Sequence, residues 1–195
     1  YILAKLNLLY GWKIGYFSPE NYPIKYHFAK VMPKLVGKEF KAGYISQSEY
    51  EYAFDYINSN FYFIYPEDDM TFENILEKAK YLVKKRGIKV LVIDPYNKIE
   101  HTKNRGESET EYISRFLDKL STFAKTHSVL VVLVAHPTKM KKELTGKYEV
   151  PSLYDISGSA NFYNKCDYGL SIYRNFDENT TDIYVLKVKF KHLGE

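Results

Sequence analysis

Glu20, Asp94, His136 and the pair Lys189 and Lys191 each stand at or just beyond the end of a run of apolar or aromatic residues. Glu20 follows WKIGYFS and Pro19, Asp94 closes VLVID, His136 closes VLVVLVAH, and the two lysines alternate through VLKVKFK. One acid, one carboxylate suited to a metal, one hydrogen-bonding ring and two cations form the inventory of a phosphoryl-transfer site. There, positioning and stabilisation of charge do most of the catalysis. A carboxylate placed as Asp94 is can hold a Mg²⁺ that bridges nucleotide phosphates, usually through water; it can equally cap a helix or pair with a base. Glu20 can polarise the water that attacks a γ-phosphate, although a single Glu in such a place is more often a solvated loop charge. His136 can sense that phosphate, or be an ordinary hydrogen-bonded strand-end histidine.

Lys139, Lys141, Lys142 and Lys147 crowd the stretch directly after His136. Several cations on one loop suit a nucleic-acid backbone, whose contacts are electrostatic and independent of sequence; a solvated surface loop is the common alternative. Lys187, Lys189 and Lys191 alternate, which on a strand puts all three on one face. Such a face is not core: it is exposed or it meets an anion.

The elements that would carry these residues alternate between strand and helix. Helices are predicted over 1–9, 22–41 with a break near Pro33, 46–57, 71–85, 109–126 and 157–165. Strands are predicted over 12–18, 61–65, 90–94, 129–136, 168–174 and 182–189. Ser46 with Glu49 three residues on is a capping box, and Ile113, Phe116, Leu117, Leu120 and Phe123 form a helical core stripe. All-apolar strands alternating with helices predict an α/β fold with a mostly parallel sheet flanked by helices. The last two strands, joined by an Asn/Asp-rich turn, predict an antiparallel hairpin at one edge. In such sheets ligands gather at the carboxyl ends of the strands, where the acids stand.

With 195 residues, 45% of them hydrophobic and 27% charged, the chain has the makeup of one globular α/β domain. Its longest apolar stretch, 129–135, reads as a buried strand. It falls short of the roughly 18 residues that span a bilayer, so no membrane partner is expected. A lone Cys166 and no zinc spacing predict a reduced, cytoplasmic compartment. No secretory leader pattern opens the chain. The net charge of +4 says little about nucleic acid by itself. The 20 tyrosines are expected mostly at half-buried core margins.

Taken in order, Glu20, VLVID, ISRFLDKLSTFAKTHSV, VLVVLVAHPTK, SGSANFYNKCD and VLKVKFKHLGE resemble the DnaB-type replicative helicases. Within them the similarity is to the subgroup of the mitochondrial helicase Twinkle and the phage primase–helicases. The resemblance runs from Trp12 to the end. It implies a RecA-like P-loop NTPase core that uses ATP and Mg²⁺, a hexameric homo-oligomeric ring on single-stranded DNA, and primase and other replisome proteins as partners. It implies a bacterial cell or phage-infected host as the setting. By position, Glu20 resembles the catalytic glutamate, Asp94 the Walker B aspartate and His136 the γ-phosphate sensor. Lys139, Lys141, Lys142 and Lys147 fall in the DNA loop of the central channel, with Ser157–Ser159 beside it. Lys189 and Lys191 fall on the basic residues that reach a neighbouring subunit's nucleotide. The family has Lys-x-Arg there and this chain Lys-Phe-Lys, which makes Lys191 a lysine finger without the bidentate fork of arginine.

The run G-x-x-x-x-G-K-[ST], which cradles phosphates on backbone N–H groups, does not occur in the chain. The resemblance places it immediately before Tyr1. Residues 1–195 are therefore expected to be one helicase domain cut short upstream and before the family's final strand, and inactive alone. Two other functions fit the same residues: a recombination or regulatory ATPase that does not unwind DNA, and a non-catalytic DNA-binding or ring-forming module.

Overall fold

A computed structural model describes residues 1–67, 69–138, 140, 142, 148–156 and 160–194. The chain divides into two compact units, Tyr1–Glu100 with Phe123–Val134, and His101–Thr122 with Ala135–Glu195.

In the first unit, α1 (Ile2–Tyr10) stops at Gly11, whose φ of 66° is the left-handed conformation glycine adopts without penalty. β1 (Lys13–Phe17) follows. α2 (Lys25–Val36) and α3 (Gln47–Asn60) precede β2 (Phe61–Ile64), and α4 (Phe72–Arg86) leads into β3 (Ile88–Ile93). α5 (Glu109–His127) belongs to the second unit as far as Thr122, and β4 (Leu130–Leu133) returns to the first. The four strands are all parallel in the order β2-β1-β3-β4, as the alternation of elements predicts.

Period-two side chains sort onto two faces. Ile14 and Tyr16 of β1 and Val90 and Val92 of β3 are buried with Met32 of α2, and with Ala53 and Ile57 of α3. Full burial of each large aliphatic among them stabilises the fold by roughly 1.5–3 kcal/mol. On the opposite face a Cβ at Gly15 would lie 2.9 Å from Ile88 Cδ1 and 3.5 Å from Leu82 Cδ1 of α4, so the missing side chain lets that helix approach the sheet.

The capping box at α3 forms: Ser46 Oγ accepts from the Glu49 N–H and Glu49 accepts from the Ser46 N–H. α2 differs from expectation at both ends. Tyr22, before Pro23, is held extended at ψ 144°, as proline requires of the residue ahead of it, so the helix starts later. Pro33 sits within the helix, which ends at Gly37 with φ 76° and its N–H on the Pro33 carbonyl. β4 is less buried than its composition predicts. Leu130 is exposed and the next three residues are half-buried, because β4 ends the order of this sheet. More than half of the 20 tyrosines are exposed rather than half-buried; Tyr16, Tyr96 and Tyr112 are the buried ones.

His27 of α2 is 8% exposed, with its ring centroid 4.6 Å from those of both Tyr16 and Phe63. Neither ring nitrogen has a hydrogen-bond partner. Burial, helped by the Lys30 charge, lowers its pKa from 6.5 to about 4. Between these values the unfolded chain binds the proton and the folded chain does not. Stability is therefore whole above pH 6.5, falls as the pH drops toward 4 and loses no more to this group below that. Denaturant titrations at about pH 7.5 and about pH 5, on either side of the ordinary histidine pKa, check it. His27→Phe should lose less stability than the parent chain over that interval, and an equal loss refutes the assignment.

The second unit holds the buried stripe of α5, with Tyr112, Ile113, Phe116 and Leu120 at 5% exposure or less and Leu117 half-buried. α6 (Asn161–Lys165) is tied to α5 by Lys165 Nζ, which donates to Ser114 Oγ at 2.7 Å and to Asp118 at 2.6 Å. β5 (Tyr168–Asn175) and β6 (Thr180–Val188) form the predicted antiparallel hairpin as a two-stranded sheet of its own. Gly169 lies so close to Leu153 that a Cβ would come within 2.4 Å of its Cδ1. Among the described residues no helix is long and apolar enough to cross a membrane.

Candidate functional site

Register brings two of the predicted acids together. Phe17 pairs with Ile93 across the parallel β1–β3 ladder, and the ladder runs one bond further, with the Asp94 N–H donating to the Phe17 carbonyl at 2.9 Å. The segments carrying Glu20 and Asp94 thus leave the sheet side by side at its carboxyl edge. A short 3-10 turn, Pro19–Asn21, carries Glu20. A second, Tyr96–Lys98, follows Asp94. Lys98 Nζ of the second turn stands 3.7 Å from Glu20 Oε1 of the first, with both side chains about half exposed. Ser18 Oγ donates to Asp94 Oδ2 at 3.4 Å, and Asp94 is half-buried. Burial, with the Asp94 charge adding to it, raises the Tyr16 hydroxyl pKa above its ordinary value, so Tyr16 stays protonated.

The other predicted residues belong to the second unit. His136 is exposed. The chain after it is fixed by the Thr138 N–H donating to the Asp155 carbonyl at 2.6 Å and by a bridge between Pro137 and Ile156. Lys142 pairs with Tyr148 through a bridge and sets its ammonium 5.3 Å from that ring. Lys139, Lys141, Lys147 and Ser157–Ser159 lie outside the described residues. Lys189 forms an ion pair with Asp167 at 2.7 Å. Lys187 donates to the Tyr163 carbonyl at 2.5 Å and lies 4.8 Å over that ring. The expected one-face alternation of these lysines stops short of Lys191. β6 ends at Val188, and Lys191 opens a 3-10 turn, Lys191–Leu193.

The family model of the DnaB-like helicase C-terminal domain matches residues 28–190. The chain belongs to this helicase family. A relative from Arabidopsis thaliana, the "Twinkle homolog protein, chloroplastic/mitochondrial", is 39% identical over 208 residues, covering 100% of this chain and 29% of the relative. The DnaB-like segment therefore spans under a third of that curated protein. Among solved structures, a helicase-like ATPase domain superposes with a TM-score of 0.68 at 16% identity, covering 92% of this chain and 68% of the other. A DnaB-like replicative helicase, studied for its interactions with primase, superposes with a TM-score of 0.69 at 16% identity, covering 92% and 47%. The RecA-like α/β fold of the DnaB-like domain follows from these superpositions.

Members of such a family use nucleotide and Mg²⁺. The donors at the sheet edge suit that ion in kind: the Asp94 carboxylate and the Ser18 hydroxyl are hard oxygen donors. Among the described residues no three His, Cys, Asp or Glu side chains gather as a metal cage. That matches an ion whose remaining ligands are water and phosphate. Sequence reasoning misses Ser18, Asn21, Lys30 and Lys98. Ser18 alone leaves a signal, as a hydroxyl two residues before the acid.

Proposed function

We propose that this DnaB-like domain is the ATP-hydrolysing motor of a replicative DNA helicase, assembled as a hexameric ring around single-stranded DNA. The single observation that carries the reading is the pair of acids, Glu20 and Asp94, at the ends of adjoining parallel strands. In an open α/β sheet that edge is where ligands bind.

Glu20 holds the attacking water and draws on its proton; its exposure and its position on a turn let it leave Lys98 for that water. Asp94, half-buried and touched by the Ser18 hydroxyl, is the residue that would hold Mg²⁺ through water. The ion, when bound, supplies positive charge to the phosphate oxygens. His136 reads the γ-phosphate, and the lysines that follow it, Lys139, Lys141, Lys142 and Lys147, grip the DNA backbone. Lys189 and Lys191 reach the nucleotide of the next subunit. The phosphate-cradling loop is supplied by sequence ahead of Tyr1, so residues 1–195 alone do not hydrolyse ATP. Primase and other replisome proteins are the expected partners. The compartment follows the 39% identical relative, whose name places it in chloroplasts and mitochondria, over a bacterial cell or infected host.

The test uses the intact protein that contains this domain. Expected are ATP hydrolysis stimulated by single-stranded DNA, a stimulation lost steeply as salt rises, and strand displacement on a forked duplex. Stimulated hydrolysis without displacement makes it a recombination-type or regulatory ATPase. DNA binding without hydrolysis makes it a binding module. Either result overturns the helicase reading.

A further inference from the structure

The turn that presents Glu20 also organises the neighbouring acid. Lys30 Nζ, on the exposed side of α2, donates to Asn21 Oδ1 at 2.5 Å. Asn21 Nδ2 donates to Ser18 Oγ at 2.6 Å. Ser18 Oγ in turn donates to Asp94 Oδ2 at 3.4 Å. The order of donors in this chain is forced. An ammonium has only protons to give, so it fixes the Asn21 amide with its oxygen toward α2 and its NH₂ toward Ser18. A serine hydroxyl has one proton. Once its oxygen accepts from Asn21, that proton is left to point at Asp94. One end of the chain is a cation and the other a carboxylate, so each bond polarises the next in the same sense.

We propose that Asn21 is a positioning residue for Asp94: locked by Lys30, it aims the Ser18 hydroxyl at Oδ2 and so commits Oδ1 to the metal and its water. The proposal rests on the reading of Asp94 as the metal-holding acid. It assigns work to Ser18, Asn21 and Lys30 that the hydrolytic scheme does not use. Lys30 acts without touching the site: its charge reaches Asp94 along the bonds instead of neutralising it directly. A carboxylate free to rotate would present either oxygen; one with a fixed donor on Oδ2 presents a single geometry, which is what outer partners of metal ligands do elsewhere.

The test measures Mn²⁺, as the probe for the divalent site, binding to the ADP complex of the intact protein by electron paramagnetic resonance, with half-saturating Mg²⁺ for hydrolysis alongside. Ser18→Ala and Asn21→Leu should each weaken Mn²⁺ binding by about tenfold, and Lys30→Met by about threefold, at the lower end of outer-partner effects. Ser18→Thr, which keeps the hydroxyl, should stay within about twofold of the parent. A turn that merely packs would not separate Ala from Thr in this way. Should Asn21→Leu fail to fold, the exposed Lys30→Met and the pair at Ser18 decide alone. Asp94→Ala is the reference. If it leaves Mn²⁺ affinity unchanged, the metal role of Asp94 fails and the positioning role with it. If Asp94→Ala abolishes binding while Ser18→Ala and Lys30→Met match the parent, the positioning proposal alone is overturned.

Discussion

Glu20→Gln in the intact protein is expected to cut ATP hydrolysis by about 10²–10⁴-fold, the range a positioned general base contributes, while ADP binding holds. Glutamine fills the same volume and still accepts a hydrogen bond, so the turn Pro19–Asn21 should persist. What it loses is the charge that draws a proton from water. The variant also loses the pairing with Lys98. At 3.7 Å and half-exposed, that surface pair contributes at most about 1 kcal/mol, so the melting temperature should barely move. Single-turnover hydrolysis and nucleotide binding read the two effects separately. Undiminished DNA-stimulated turnover would remove Glu20 from the mechanism and leave the Lys98 pair as its whole role.

A second large effect is expected at the far end of the chain. Lys191→Ala should slow hydrolysis by about 10³-fold, as loss of a cation that stabilises transferring phosphate does in related chemistry, without loss of folding. Lys191 lies exposed in its 3-10 turn, outside the buried core. Lys191→Arg should retain or raise activity, because a planar fork can bind two phosphate oxygens at once. Lys189→Ala should cost less, since Lys189 is already engaged by Asp167 at 2.7 Å. Action across a subunit boundary has a distinctive signature. Mixing the dead Glu20→Gln and Lys191→Ala proteins creates junctions with Glu20 from one subunit and Lys191 from the next, and hydrolysis should return. No recovery on mixing, with ring assembly intact, would refute the role in trans.

The parts of the fold that can be read from the residues are those governed by short-range rules. The Ser46–Glu49 box, the stripe of α5 and the parallel sheet each follow from spacing alone. Glu20 and Asp94 are legible because an acid at the end of a strand can be recognised without knowing which strands adjoin. The errors arise where a rule meets a competing one. Pro33 predicts a break in α2, yet it lies in the last turn before Gly37, where few bonds remain to lose. Alternation alone extends the last strand to Lys191, but the ladder stops at Val188. The chain Lys30–Asn21–Ser18–Asp94 leaves no periodic trace. It depends on a 3-10 turn, on the start of α2 and on register between β1 and β3, three things no window of sequence contains together.

The direct link between the Asp94 N–H and the Phe17 carbonyl divides the domain into parts with different tolerance for change in length. The separation of the two acids is set by strand pairing, not by the long stretch of chain between them, and extra loop length costs little once the ends are held. Peptide tags or whole modules spliced into the exposed stretch around Lys38–Tyr44 leave that spacing untouched. A single residue added within β1 or β3 turns its acid to the opposite side of the sheet. The machinery is thus rigid in two short words of sequence and permissive between them, which marks where this motor can be rebuilt and where it cannot.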